Sequence, residues 1–578
     1  MICSNCGQET LRLHPASLED RDVSKQLRSL TGASLASDKE KDRISHYVGD
    51  AEQDLVSLDE EIRALKDIRQ RVYVNLLKYR SLLAPIRRLP PELLSFIFSL
   101  VCEGGNIFGM EFGSSASATG WHWNPSPKSL PALTLSSVCH GWRELTFLTQ
   151  KIWSHVSLDL SDNLPVLTLR GSQSKLWIWG TKKARSTLLL YLGRSSQSPL
   201  KIKLTLNSPK DCLTEGSRGI INYLVQQSHR WQAISLHISK RGFLLNKDLQ
   251  PLFPTVTHLP MLESFEIKCH RDGGLDLGEA PKLFDIIRNV PRLKHLQLSW
   301  IDQSLPPSLG FIPWNQLVSL QLDTCRCTEG LRLLSFCSNL VHVTIDFGIY
   351  IDSEVLTSST LPKLESMWIK ISFDTEEVIQ SICSYLTLPS LASLTLEGSS
   401  GYETEDTVVW PIRSLADFFS RSKCTITSLR LKALSMMGED VLALLALMPL
   451  LTELEIHEPS DMVYSTHMVT TALLRGMTLE THFVVEENSQ QNDHLVPKLR
   501  RLELYAPYPY VFDLEQLIVM VKSRCVIDSA GADRLRWFVF KTRRADPQAD
   551  AVDVNSSLQK LLLELGMDHL RVEVGGWL

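Results

Sequence analysis

"PMLESFEIK", residues 260–268, is the stretch on which the fold turns. A proline leads into Leu262, and Phe265 and Ile267 follow at positions two apart. That is the period of a strand with one face buried. The same six-residue core, apolar at its first, fourth and sixth positions, returns along the chain. It stands as "LESFEI" (262–267), "LKHLQL" (293–298), "LVSLQL" (317–322), "LVHVTI" (340–345) and "LESMWI" (364–369). Further copies are "LASLTL" (391–396), "ITSLRL" (426–431), "LTELEI" (451–456) and "LRRLEL" (499–504). "AISLHI" (233–238) and "LRWFVF" (535–540) are weaker versions. Most are entered through Pro-x-Leu, as in "PRLKH", "PKLES", "PSLAS" and "PKLRR".

The nine stronger copies start 23 to 35 residues apart, with one longer gap before Leu499. Helix-like runs lie between them: "APKLFDIIRNV", "EEVIQSICSYL", "SLADFFSR" and "EDVLALLALM". A strand plus a helix at this period is the pattern of a leucine-rich-repeat solenoid, in which each unit buries its apolar face on the next. The repeats are irregular, and the Asn or Cys expected after the strand is filled only by Cys325. We expect this array to run from 161 to 578.

If Phe265 and Ile267 point inward, Ser264, Glu266 and Lys268 point outward. The same count turns out His295, Gln297 and Ser299, then Ser319, Gln321 and Asp323, then His342, Thr344 and Asp346. Further rows are Ser366, Trp368 and Lys370; Ser428, Arg430 and Lys432; Glu453, Glu455 and His457; and Arg501, Glu503 and Tyr505. Polar rows suit a solvated face. Trp368 stands out, because a large aromatic in an outward slot is the residue type that anchors partners. Trp368, Arg430, Glu455, Arg501 and Tyr505 are the candidate target-binding residues.

Upstream, a four-three apolar spacing runs through Ile44, Val48, Ala51, Leu55, Leu58, Ile62 and Leu65, then Val72, Leu76, Tyr79 and Leu83. Arg69 fills the one charged slot. Such a seam predicts a helical stem over 38–84, after a flexible segment 1–37. Two neighbours are open to it: a second copy of the chain, giving a homodimer, or the chain's own repeats.

Between stem and repeats lies "PIRRLPPELLSFIFSLVCEGG" (85–105). Pro90 and Pro91 suit a helix start, and Glu92 favours the positive end of its dipole. Leu93, Leu94, Ile97, Phe98, Leu100 and Val101 then cover more of the circumference than one buried stripe requires. "LTLSSVCHGWRELT" sets Leu135, Val138, Cys139, Trp142 and Leu145 on one helix face. Trp153 follows at a turn, and Val156, Leu158 and Leu160 alternate like a strand.

Taken in order, "LPPELLSFIF", "LSSVCHGWREL" and "KIW" resemble the F-box, in the form common in fungal F-box proteins with leucine-rich-repeat-like tails. The likeness covers about 70 residues, placed at 85–160, with a Gly/Ser-rich insert at 103–129. It departs from the family at Gln150, where a proline is frequent. The resemblance implies docking on a Skp-type adaptor, and through it on a cullin. On that reading Leu89, Pro90, Leu93, Ile97, Phe98, Leu133, Val138 and Trp142 form or support the adaptor surface.

The 578 residues carry a net charge of −5, which gives no general attraction to nucleic acid or to anionic membrane. No apolar run reaches the length of a membrane span. Twelve scattered cysteines and no export signal suit reduced thiols in the cytoplasm or nucleus. Phosphate-binding loops, H-E-x-x-H and G-x-S-x-G elbows are missing from the sequence. Cys3 and Cys6, with His14 nearby, fall short of the four ligands of a structural zinc site. We expect neither metal nor cofactor, and no enzyme activity. The expected fold class is α/β: a helical stem, an all-α F-box, and an irregular solenoid. The expected function is a non-catalytic substrate receptor of a Skp–cullin–F-box ubiquitin ligase. The competing reading is a repeat scaffold whose short helices are internal.

Overall fold

The computed structural model describes residues 38–103, 130–159, 173–206, 215–238, 259–269, 287, 290–301, 312–349, 357–372, 375–398, 409–459, 467–479, 494–508, 511–526, 532–544 and 571–576. The N-terminal segment 1–37, with Cys3, Cys6 and His14, lies outside the described residues, as does the insert from 104 to 129. The chain divides into two compact units, Met1–Leu94 and Ser95–Leu578.

The first unit is dominated by α1, a 45-residue helix over Asp38–Leu82. No proline interrupts it, and Arg80 in its last turn complements the helix dipole. A 3-10 turn at Pro85–Arg88 follows. Arg87 ties that turn back to the helix end, donating from Nε to the Ser81 carbonyl at 2.7 Å. The expected stem is therefore one helix. Its seam residues are open: Leu55 and Val72 are each 62 % exposed.

Helix α2 (Pro91–Glu103) spans the boundary between the units. In the second unit, α3 (Pro131–Val138) and α4 (His140–Leu148) precede a 3-10 turn at Gln150–Trp153. Among the described residues an open sheet of 14 strands follows, with a two-stranded pairing of Ser359–Thr360 and Leu386–Thr387 beside it. Its strands are β1 (His155–Asp159), β2 (Leu200–Leu206), β3 (Trp231–Ile238), β4 (Ser264–Cys269) and β5 (His295–Ile301). They continue with β6 (Ser319–Arg326), β7 (His342–Ile349), β8 (Ser366–Ile371), β9 (Ser393–Gly398) and β10 (Ser428–Lys432). The last are β11 (Glu453–His457), β12 (Arg501–Tyr508), β13 (Trp537–Arg544) and β14 (Arg571–Gly576). Spatial order equals chain order, and every neighbouring pair is parallel. Parallel neighbours need a crossover, and helices fill many of them. These are α5 (Gln173–Ser195), α6 (Glu215–Val225), α7 (Cys327–Ser335), α8 (Thr375–Tyr385) and α9 (Ile412–Ser422). After them come α10 (Gly438–Ala446), α11 (Thr471–Gly476) and α12 (Leu514–Val526).

The repeated sequence core dictates the register. Phe265, Leu296, Leu320, Val343, Met367, Leu394, Leu429, Leu454, Leu502 and Phe538 fall opposite one another in turn, and all are buried. Ile267 through Phe540 makes a second such row two residues on. The leucine of each Pro-x-Leu entry is buried as well, from Leu262 and Leu293 to Leu499, and so is Leu535, which enters through Asp533-Arg534. Fully burying one such side chain is worth about 1.5–3 kcal/mol. The residue after that leucine carries a backbone ladder. Lys294 N donates to Glu263 O at 2.9 Å, Val318 N to Lys294 O at 2.8 Å, and Val341 N to Val318 O at 2.9 Å. The ladder runs on to Arg536 N and Arg500 O at 2.8 Å. The entry turn thus has its polar groups satisfied by the preceding copy.

Helices α8, α9 and α10 stand where helical runs were expected, whereas most of "APKLFDIIRNV" lies outside the described residues. Strands β2 and β14 and helices α5 and α6 fall where no repeat unit was recognised. Strand β1 belongs to the sheet through its pairing with β2, so the sheet begins before the expected boundary at 160. No helix among the described residues is long and apolar enough to cross a membrane.

Candidate functional site

Two surfaces stand out. The first is built by α2, α3 and α4. Phe98 is 1 % exposed, and its ring packs on Trp142 with centroids 4.8 Å apart. Trp153 is fully buried and donates its indole N–H to the Thr146 carbonyl at 2.8 Å. Its ring meets Tyr191 edge-on at 5.1 Å, and the Arg194 guanidinium lies over both Trp153 and Phe147 at 4.4 Å. The Thr149 hydroxyl donates to Ser95 Oγ at 3.3 Å, which holds the end of α4 beside α2. Burial pushes the Cys102 thiol up to about 12, which makes it an inert packing residue.

That seating leaves the other stripe of α2 uncovered. Leu93, Phe96, Ile97, Leu100 and Val101 recur at helical spacing. All five are exposed, Leu93 by 53 % and Ile97 by 37 %. Val138, Phe147 and Leu148 are exposed too. Among the expected adaptor residues, Pro90, Leu93, Ile97 and Val138 face solvent, while Leu89, Leu133 and Trp142 are half-buried. Phe98 supports the surface from within and does not form it. Phe96, Leu100, Val101, Phe147 and Leu148 were not among the expected adaptor residues, although Leu100 and Val101 belong to the apolar excess read from the sequence. Helical periodicity carried forward from Leu93 would have reached Phe96, Leu100 and Val101.

The second surface lies on the outward side of β8–β13. Alternation along β10 and β11 buries Leu429, Leu431, Leu454 and Ile456, and leaves the residues between them turned out. Trp368 is 36 % exposed and donates its indole N–H to Glu397 Oε2 at 3.0 Å. Lys370 pairs with Glu397 at 3.1 Å. The ammonium groups of Lys370 and Lys432 lie 5.3 and 5.9 Å from the Trp368 ring centre, within cation–π range. Arg430 and Glu455 are register partners and pair at 2.9 Å. Glu455 also meets Lys432 at 3.2 Å and His457 at 2.7 Å. Burial works to raise the Glu455 carboxyl, but its bond to His457 and the charge of Lys432 outweigh burial and hold it at about 2. His457 stacks on Tyr505, centroids 3.7 Å apart. The Tyr505 hydroxyl donates to Glu503 Oε2 at 3.0 Å, and Arg501 Nε donates to Glu503 Oε1 at 2.7 Å. The Arg501 guanidinium lies over Trp537 at 5.0 Å.

All five candidate target residues therefore belong to one connected surface that runs from Trp368 to Trp537. Glu397 and Trp537 complete it, and the two-residue count that found Trp368 also reaches both. The side chains hold one another in place, which lowers the ordering cost of engaging a partner. A smaller polar group spans β3–β6. Glu266 meets Lys268 and His237. Asp323 accepts from Gln297, Ser299 and Gln321, each at 2.9 Å.

Among the described residues, no group of His, Cys, Asp and Glu could hold a metal ion. Cys325 and Cys327 are fully buried, and burial raises both thiols. Voids of about 20 Å³ under β2–β4 and under β8–β9 are lined by apolar side chains and cysteine, room for a water molecule and no more. No protein-family model matches the chain, and no curated protein matches it.

Proposed function

We propose that the chain is the non-catalytic substrate-recognition subunit of a Skp–cullin–F-box ubiquitin ligase. The observation that carries this reading is the exposed apolar stripe of α2, in a segment whose sequence resembles the F-box. A helix seated through Phe98 that leaves Leu93, Phe96, Ile97, Leu100 and Val101 in water has the form of half an interface. The Skp-type adaptor covers that stripe together with Val138, and Trp142 braces it from behind. On the same reading the strands of the sheet are leucine-rich repeats in a solenoid. Their common register and parallel, chain-ordered pairing support this. The target protein docks on the Trp368–Trp537 surface, with Trp368 and Arg501 as anchors. The receptor does no chemistry. It raises the effective concentration of the target's lysines beside the ubiquitin-charged enzyme.

The test is co-expression with a Skp-type adaptor and purification through the receptor. Wild type retains the adaptor, and Leu93→Asp/Ile97→Asp loses it while its circular dichroism and unfolding transition stay unchanged. Leu93 and Ile97 lie on the exposed stripe of α2, away from the buried Phe98, so the substitutions spare the core. A wild-type chain that purifies without the adaptor sinks the proposal.

A further inference from the structure

We propose that α1 pairs with α1 of a second copy of this chain, antiparallel, in a two-helix coiled coil centred between Ile62 and Leu65. This goes beyond the ligase reading and does not rest on it. The seam supplies eleven apolar positions from Ile44 to Leu83, more than the three to four heptads that sustain a coiled coil. Along α1, and at Leu83 in the turn just past its end, they stand in solvent or half-covered. At 1.5 Å per residue the stripe is about 60 Å long.

Charge decides between the two orientations. In heptad terms Val48, Leu55, Ile62, Arg69 and Leu76 are a positions, and Ala51, Leu58, Leu65, Val72 and Tyr79 are d positions. A parallel pair sets a against a, so Arg69 would face its own copy inside the core. It also sets each g position against the following e position, which brings Asp54 against the second copy's Asp59. Counted over the dimer, three like-charge oppositions result, against two attractions between Glu61 and Lys66.

An antiparallel pair sets a against d. Ile62 then meets Leu65, Leu55 meets Val72, Ala51 meets Leu76, Val48 meets Tyr79, and Ile44 meets Leu83. Arg69 meets Leu58 rather than another arginine, and its long stem covers apolar surface while its charge reaches water. The flanking e positions bring Asp59 against the second copy's Lys66, twice by symmetry. No like charges oppose across the seam.

The experiment is sedimentation equilibrium of the full chain over a range of concentrations, with circular dichroism to follow helix content. Wild type approaches twice its 65.3 kDa mass. Asp59→Lys turns two attractions into two repulsions and weakens the dimer about tenfold, taking a few tenths to 1 kcal/mol for each exposed pair. Asp59→Lys/Lys66→Asp restores the affinity to within about twofold. Glu61→Lys leaves it unchanged, because antiparallel packing sets Glu61 against Ile68. A chain that stays monomeric at every concentration overturns the proposal. So does the parallel signature, in which Asp59→Lys tightens the dimer and Glu61→Lys weakens it.

Discussion

Arg524 is the sharpest test of how the C-terminal strands are held. It sits on α12, 1 % exposed, and reaches three carbonyls. Nε donates to Met477 O at 2.7 Å, Nη2 to Leu495 O at 2.8 Å, and Nη1 to Val496 O at 3.1 Å. It therefore ties the end of α11 to the turn that enters β12. Burial pulls its pKa from 12.5 down to about 10, a cost of about 3 kcal/mol at 1.36 kcal/mol per pH unit. Three hydrogen bonds from a charged donor return about 1.5–3 kcal/mol each. The bonds win, by roughly 3 kcal/mol. Arg524→Met keeps the volume and removes every donor, leaving buried carbonyls short of partners. The expected loss is about 3 kcal/mol, or about a hundredfold faster amide exchange in α11 and β12. Hydrogen exchange read by mass spectrometry suits this protein, because a sheet of 14 strands paired in chain order need not unfold in one step. Arg524→Lys should fall between the two. Exchange in Arg524→Met indistinguishable from wild type would refute the reasoning, since the bonds would then do no more than offset burial.

Two further predictions concern the sheet. At Gly398 a Cβ would stand 2.1 Å from the Ala433 carbonyl oxygen, on backbone that the Ala433 N–H bond to His457 O fixes at 2.8 Å. Gly398→Ala should cost about 1–3 kcal/mol in urea unfolding, whereas Gly219→Ala in α6, which meets open space, should gain about 0.5–1 kcal/mol; equal effects would sink the idea. The Glu455 carboxyl is held at about 2 against an ordinary 4.5, so its stabilisation is full above pH 4.5 and drains away as pH falls toward 2. Wild type should exceed Glu455→Gln in stability at pH 6 and lose that margin across the same window, and a margin that does not change with pH would contradict the pairing.

The repeated core made the sheet legible because one physical demand recurs in every copy. A leucine fills the entry turn and two alternating side chains fill the strand. Counting outward from those buried positions placed Trp368, Arg430, Glu455, Arg501 and Tyr505 on one face, and the register then set Arg430 opposite Glu455. Strand β14, "RVEVGG", was missed because it has no leucine-led entry, His569 standing where the other copies have leucine. Strand β2 does alternate Leu200, Ile202, Leu204 and Leu206, but its entry "SPLKIKL" lacks the Pro-x-Leu spacing that marks the others. On the first surface the sequence showed an excess of apolar side chains but not which of them turn inward. Phe98 and Ile97 are adjacent and equally apolar, and only the ring of Trp142 settles that Phe98 is the one buried. Arg524 was illegible for a different reason. A single arginine on a helix gives no sign that three carbonyls from other segments converge on it.

The order of the sheet also bears on how the chain is made. Each strand from β2 onward pairs with one that precedes it in the chain, and none between β1 and β14 waits for a partner more than one step away. A ribosome releases these segments in the sequence in which they dock. The growing end needs only the last completed unit as its template, and the loop closed at each step is short. The unpaired edge exposed during synthesis is a single strand long and moves forward as the next segment arrives. Synthesis and folding of this chain can therefore proceed together, one strand at a time, in the same direction.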